Sequence, residues 1–290
     1  MLRALIKTMR LRQWTKNVFV LAALVFDLKL REPDAIARSL AGFFLFCILS
    51  SVVYIINDIT DVEADRKHPT KRNRPIASGK LPIPVALWAG VILLVLTLSA
   101  SYFLSWGFFL VASTYFLINL AYSNWLKHFV IIDVLIIAAG FVLRVAAGVS
   151  LISVERFSPW LYVCMTLLAL YMGFGKRRAE LTLLNTEANA HRRVLDGYTV
   201  TFLDQLITIV SGATIIAYSL YTFSAPNVPE NHTMMLTIPF VVYAIFRYLY
   251  LVQVKQQGGA PEDIALTDRP LQATFILWGI AIVAIFYGIQ

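Results

Sequence analysis

Residues 43–65 read FFLFCILSSVVYIINDITDVEAD, an apolar run that ends in three aspartates and a glutamate. With the residues before it, the apolar part makes a span over 36–57. About 20 residues at 1.5 Å rise match a hydrocarbon core about 30 Å thick. A membrane helix that ends in a cluster of acids needs a reason for the acids.

The rest of the chain repeats the apolar half of this pattern. Of 290 residues, 59% are hydrophobic and 14% charged, against about 25% charged in a soluble domain. Mean hydropathy is +0.71. The apolar residues come in blocks, with nine candidate spans at 18–30, 36–57, 82–104, 107–123, 131–151, 159–175, 200–223, 234–252 and 271–289. The fold class is therefore all-α: one polytopic membrane domain over 1–290. No small-residue cleavage site follows the basic N-terminus, so no cleaved leader is expected. Cys47 and Cys164 both lie in spans, which argues against a disulfide framework or a thiolate metal site.

Charge sets the orientation. With the N-terminus inside, the inner segments 1–17, 58–81, 124–130, 176–199 and 253–270 hold 19 of the 25 Lys/Arg, against 4 outside. This is the positive-inside bias, so the net charge of +8 is no sign of nucleic-acid binding. The long loops 58–81 and 176–199 put the working face on the cytoplasmic side.

If helix geometry continues past Ile56, Asp58, Asp61 and Asp65 fall within roughly 60° of one another, and Glu63 points elsewhere. Carboxylates on one stripe repel unless a cation sits among them. Hard oxygen donors without His or Cys suit Mg²⁺, shared with substrate phosphates, and Asn57 at the boundary can orient a ligand. The competing reading is a solvated helix end balanced by Arg66 and Lys67. Against it, RKHPTKRNRPIASGK at 66–80 places six Lys/Arg beside the acids. Carboxylate-held metal next to guanidinium is a diphosphate-binding arrangement. Arg74, Lys71 and Arg72 are the candidates, with Pro75 and Gly79 fixing the turns around Arg74.

Three further segments carry charge where it costs. Arg12, Trp14, Lys16 and Asn17 sit where the chain enters the membrane, with Arg12 and Lys16 four apart on one α-helical face; interfacial anchoring competes with phosphate binding there. Asp133, Gly140 and Arg144 line one stripe of the fifth span. Arg144 is roughly 16 Å along the helix from Asp133, where an arginine costs at least about 2.5 kcal/mol and faces a cavity or a partner. Arg247, nearer the inner boundary, is expected to snorkel. In GKRRAEL at 175–181, Lys176 and Glu180 make an i, i+4 pair while Arg177 and Arg178 point to different sides.

NDITDVEAD at 57–65 resembles the NDxxDxxxD signature of the UbiA superfamily of intramembrane prenyltransferases. The position after the second span, the continuation RPIASG and YSNWLK at 122–127 fit that resemblance. The family implies a helical bundle around a central cavity, with a diphosphate held through Mg²⁺. Two-motif members carry a second acidic motif after the sixth span; here the stretch is the cationic GKRRAEL, where Glu180 is the best substitute and Asp196 and Asp204 are weaker ones. MRLRQWTKNVFVLAALVF, YSNWLKHFVIIDVLIIAAGFVLRVAAG and GKRRAEL resemble instead the decaprenyl-phosphate phosphoribosyltransferase branch.

That branch implies phosphoribosyl diphosphate as donor, a polyprenyl phosphate as acceptor, and the plasma membrane of a prokaryote as location, in cell-envelope precursor synthesis. On this reading Asp58, Asp61 and Asp65 hold Mg²⁺, while Arg74 and Lys127 act on the reacting groups. Asn57, Lys16, Arg12, Asn17, Lys71, Arg72, Tyr122, Asp133, Arg144, Lys176, Arg177, Arg178 and Glu180 bind substrate. The alternatives are a prenyltransferase with an aromatic or alcohol acceptor, and a transporter. Paired Gly/Pro-broken spans would mark the transporter; none is convincing.

Overall fold

The computed structural model describes residues 1–68, 71–153, 158–184, 193–256, 264–265 and 267–288. The regular elements among them are all helical. The expected inner segments 58–81, 176–199 and 253–270 lie partly outside the described residues.

Among the described residues, seven helices are long and apolar enough to cross a membrane: α3 (Pro33–Thr60), α5 (Ile83–Leu104), α6 (Trp106–Asn124), α7 (Ile132–Val149), α9 (Val200–Ser224), the stretch Thr233–Gln253 that contains α10 (Ile238–Gln253), and α11 (Arg269–Tyr287). The chain is an integral membrane protein. α8 (Pro159–Leu184) covers the expected span 159–175 and continues as helix through GKRRAEL, so that segment is a helix end and not a loop. α1 (Leu2–Thr8), α2 (Ala22–Phe26) and α4 (Val62–Lys67) are short.

The expected span 18–30 takes a different form. Leu11–Leu21 is a 3₁₀ helix that runs into α2. Such long 3₁₀ runs are uncommon, and side chains explain this one. At three residues per turn, Trp14, Asn17 and Val20 fall on one stripe against α3. Trp14 Nε1 donates to Ser51 Oγ at 3.0 Å, and Asn17 Nδ2 donates to Ser50 Oγ at 3.1 Å and Cys47 Sγ at 3.3 Å. An α-helix would rotate one of the three off the stripe.

The chain divides into two compact units, residues 1–129 with 140–154, and residues 130–139 with 155–290. In the first, Phe46 and Leu49 of α3, Phe108, Ala112 and Tyr115 of α6, Ala147 of α7 and Val20 form one buried cluster. Gly148 lets the 3₁₀ segment reach α7: a Cβ there would stand 1.9 Å from the Val20 carbonyl oxygen. At the opposite end of α3 from the acids, Arg38 donates to the carbonyls of Leu104 (3.0 Å) and Leu151 (2.9 Å), closing the C-terminal ends of α5 and α7. These are carbonyls that a helix end leaves without partners.

In the second unit, Tyr171 and Phe174 of α8, Leu203 and Ile207 of α9, Ile245, Tyr248 and Leu251 of α10 and Leu271 of α11 pack with Val134. Tyr218 takes a hydrogen bond from Trp278 Nε1 (2.8 Å) and shares one with Thr237 (2.7 Å). Bulky apolar side chains such as Trp88, Leu96, Phe103 and Ile276 are exposed, as lipid-facing surfaces require.

Two stability changes follow from the first unit. Gly148→Ala forces the 3₁₀ segment off α7 and should cost about 1–3 kcal/mol, the usual range for overpacking. Arg38→Ala strands the carbonyls of Leu104 and Leu151 and should cost about 1–3 kcal/mol. Thermal melts of the two variants in detergent measure both.

Candidate functional site

The acidic stretch does not continue as one helix. α3 ends at Thr60, Asp61 leaves helical geometry at φ −92°, ψ 7°, and α4 begins at Val62. Backbone hydrogen bonds bridge the break, from Asp61 to Asn57 (2.9 Å) and from Asp65 to Asp61 (2.8 Å). Asp58 and Asp65 turn inward and are 2% and 3% exposed, while Asp61 faces Lys127.

Each carboxylate meets a cation. Arg74 Nη1 lies 3.1 Å from Asp58 Oδ1 and 2.6 Å from Asp65 Oδ2. Arg10 Nη2 lies 2.5 Å from the same Asp58 Oδ1. Lys127, in the 3₁₀ turn Leu126–His128 after α6, lies 2.6 Å from Asp61 Oδ1. Glu63 does point elsewhere, to Arg66 at 2.8 Å. Asn57 stands one residue before Asp58, partly exposed.

Local structure fixes these arginines at their backbones. After Arg74, buried Ile76 packs with Ile55, Val62 and Leu81, Gly79 turns the chain at φ +76°, and Leu81 N–H reaches the Pro75 carbonyl at 2.9 Å. Arg10, which the sequence reading missed, sits between α1 and the 3₁₀ segment at φ 53°, ψ 57°. The left-handed region costs a non-glycine residue roughly 1–2 kcal/mol. The Ser51 hydroxyl takes up that turn by donating to the Met9 carbonyl at 3.0 Å, and the Arg10 guanidinium stands 4.8 Å from the Tyr54 ring centroid. Lys71 and Arg72 are exposed in the turn Lys71–Asn73. Beside them burial, and then the charge of Lys71, hold the His68 pKa below the ordinary histidine value.

Several of the expected substrate contacts are engaged with neighbouring protein groups. Asn17 is fully buried; besides its bonds to α3 it accepts from Arg144 Nε at 2.8 Å. Arg144 completes its set with the Gly140 carbonyl (2.7 Å) and Tyr115 Oη (2.9 Å), among the rings of Phe46, Tyr115 and Phe141 at 5.8, 5.0 and 5.1 Å. It braces α7, α6 and the 3₁₀ segment, without an acid. Arg12 and Lys16 do not share a face, because four residues of 3₁₀ helix turn through about 120° beyond one full turn. Tyr122 lies partly exposed near the end of α6.

In the second unit, Asp133 is fully buried, receiving Arg177 Nε at 2.6 Å and Tyr198 Oη at 2.8 Å. Burial first, together with that bond to the carboxylate, pushes the Tyr198 phenol pKa up. Tyr198 Oη also accepts from the N–H of Ile131 (2.7 Å), a β-branched residue at φ 69°. Arg177 Nη1 takes Glu180 at 2.6 Å, a pairing at i+3. Arg178 binds Asp204 at 2.6 Å and the Val252 carbonyl at 3.1 Å. Arg247 does not simply snorkel: it makes two hydrogen bonds to Asp268, at 3.2 and 2.8 Å, which hold the Asp268 carboxyl below its ordinary range.

No three acidic, His or Cys side chains converge as ligands among the described residues. Two do share a cation position: a single guanidinium nitrogen lies against one oxygen of Asp58 and one of Asp65. That donor pair suits Mg²⁺, which takes one or two carboxylates and completes its shell with water and substrate phosphate. The residues fit such an ion, with Asp61 outside the pair.

The UbiA prenyltransferase family profile matches residues 18–264. The chain is 36% identical over 287 residues to the decaprenyl-phosphate phosphoribosyltransferase of Mycolicibacterium smegmatis, covering 94% of this chain and 89% of that protein. It is also 36% identical to the same-named protein of Corynebacterium glutamicum, covering 98% and 86%. Among solved structures, a UbiA homolog from Archaeoglobus fulgidus bound to DMAPP and Mg²⁺ superposes with a TM-score of 0.74 at 18% identity, covering 97% of this chain and 99% of that one. The chain belongs to the UbiA prenyltransferase family.

Proposed function

We propose that this protein moves the 5-phosphoribosyl group from phosphoribosyl diphosphate to a polyprenyl phosphate, releasing diphosphate, at the cytoplasmic face of the plasma membrane. The carrying observation is the cluster of Asp58, Asp65, Arg74 and Arg10 at the end of α3, on a chain similar across 94% of its length to a phosphoribosyltransferase of that class. Buried carboxylates beside guanidinium forks supply what a metal-bound diphosphate needs.

Asp58 and Asp65 would hold Mg²⁺, which when bound would supply charge neutralisation for the leaving diphosphate. Arg74 and Arg10 donate to diphosphate oxygens, and Lys71 and Arg72 extend the same cationic loop. Lys127, positioned by Asp61, adds a further charge. An acceptor phosphate oxygen attacks the anomeric carbon of ribose, and the bond to diphosphate breaks with its electron pair. A phosphate monoester has its second pKa near 6, so the nucleophile is already anionic and needs no general base. Arg12 and Lys16, on different faces of the 3₁₀ segment, add cations at the membrane entry, the depth of a lipid phosphate.

The test is a paired turnover assay on purified protein with Mg²⁺. One arm holds labelled phosphoribosyl diphosphate and polyprenyl phosphate, the other polyprenyl diphosphate and a hydroxybenzoate. Label entering lipid in the first arm alone is expected; product in the second alone would make this an aromatic prenyltransferase. Asp58→Asn should lower turnover by about a hundredfold or more, above the usual cost of losing a metal's outer-shell support. Arg177→Met should act differently. It leaves Asp133 buried without a counter-charge and should cost about 3–5 kcal/mol of stability, read as a lower melting temperature in detergent.

A further inference from the structure

Asp58 Oδ1 takes hydrogen bonds from both Arg10 and Arg74, and Arg74 reaches across to Asp65 with the same nitrogen. The two carboxylates are already neutralised by two guanidinium groups. A divalent ion bridging the two carboxylates where Arg74 Nη1 now stands needs Asp58 Oδ1 and Asp65 Oδ2, at about 2.0–2.1 Å for Mg²⁺. It cannot take that position while the arginine nitrogens stand there. Binding the ion alone would also leave two aspartates facing two arginines and a double positive charge, an excess that is costly where the carboxylates are shielded from water. A diphosphate group removes both obstacles, since it closes the charge and gives the displaced guanidinium groups an anion to bind.

The geometry allows that exchange without moving the backbone. The side chains of Arg10 and Arg74 are 28% and 25% exposed, against 2% and 4% for Asp58 and Asp65, so the arginines lie on the open side of the acids. Arg10 is held at its backbone by the Ser51–Met9 bond, and Arg74 by the turn that closes from Leu81 to Pro75.

We propose that Arg10 and Arg74 are exchangeable counter-cations: they occupy Asp58 and Asp65 until donor arrives, then turn onto its diphosphate, so that divalent metal and diphosphate bind together. Arg10 is thereby a donor-binding residue. This deepens the function proposed above and rests on its assignment of Asp58 and Asp65 to the metal.

The experiment titrates purified full-length protein in detergent with Mn²⁺, reading free Mn²⁺ by EPR, with and without methylenediphosphonate. The Mn²⁺–diphosphonate complex, measured without protein, is subtracted. Wild type should bind Mn²⁺ weakly alone and about tenfold more tightly with the diphosphonate. Arg10→Gln and Arg74→Gln should tighten binding of Mn²⁺ alone by about tenfold, the scale set by losing one charge-assisted hydrogen bond, and shrink the effect of the diphosphonate. Arg10→Lys, which keeps the charge and guards against a folding artefact, should restore the wild-type pattern. Loss of Mn²⁺ binding in Asp58→Asn, with unchanged Mn²⁺ affinity in both glutamine variants, would overturn the exchange and keep the metal assignment. Equal affinity with and without diphosphonate in wild type would overturn the exchange as well. Unchanged Mn²⁺ binding in Asp58→Asn would overturn the metal assignment itself, and the exchange with it.

Discussion

A charge beside hydrocarbon must bring its counter-charge or enough hydrogen bonds to replace water, and this molecule is organised by that requirement. Asp58 and Asp65 stay buried at the end of α3 because Arg10 and Arg74 cover them. Arg144 stays in the fifth span because Asn17, Tyr115 and the Gly140 carbonyl take its N–H groups. The second obligation creates the first: Asn17 orients the segment whose preceding turn delivers Arg10. Lipid supplies no alternative partner, so the N-terminal segment, α3 and α7 hold one another in a single arrangement.

The same chemistry serves opposite ends in the two units. Arg177 is 1% exposed and closes on Asp133 and Glu180. Displacing it there would open the packing. Arg74 meets its acids across a surface open on one side, where an incoming anion can compete for it. Burial, and not residue type, separates a clamp from a ligand-binding group. An arginine-rich helix end and an arginine-rich loop, alike in composition, are thus exposed very differently.

The long helices were legible because hydropathy over some 20 residues is a collective property that no single contact overrides. The acids and Arg74 were legible too, since a carboxylate cluster at a membrane mouth has few inexpensive explanations. Other features depended on contacts that spacing does not encode. Arg12 and Lys16 were placed on one face by assuming 3.6 residues per turn, whereas Trp14 and Asn17 impose three. Arg10 carries no local mark; a left-handed turn set by Ser51 aims it. Glu180 meets Arg177, the residue turned toward Asp133, at a spacing that composition did not single out. Asn17 looked like a phosphate ligand because its bonds to Ser50 and Cys47 join residues some 30 positions apart.

The 3₁₀ form of Leu11–Leu21 changes how far a short segment reaches. A 3₁₀ helix rises about 2.0 Å per residue and an α-helix about 1.5 Å. Eleven residues of the first followed by the five of α2 extend about 30 Å, the thickness of the hydrocarbon core. The same residues wound as α-helix would stop about 6 Å short. Leu11–Phe26 thus reaches about as far as a longer α-helical segment would, by stretching the helix instead of adding residues.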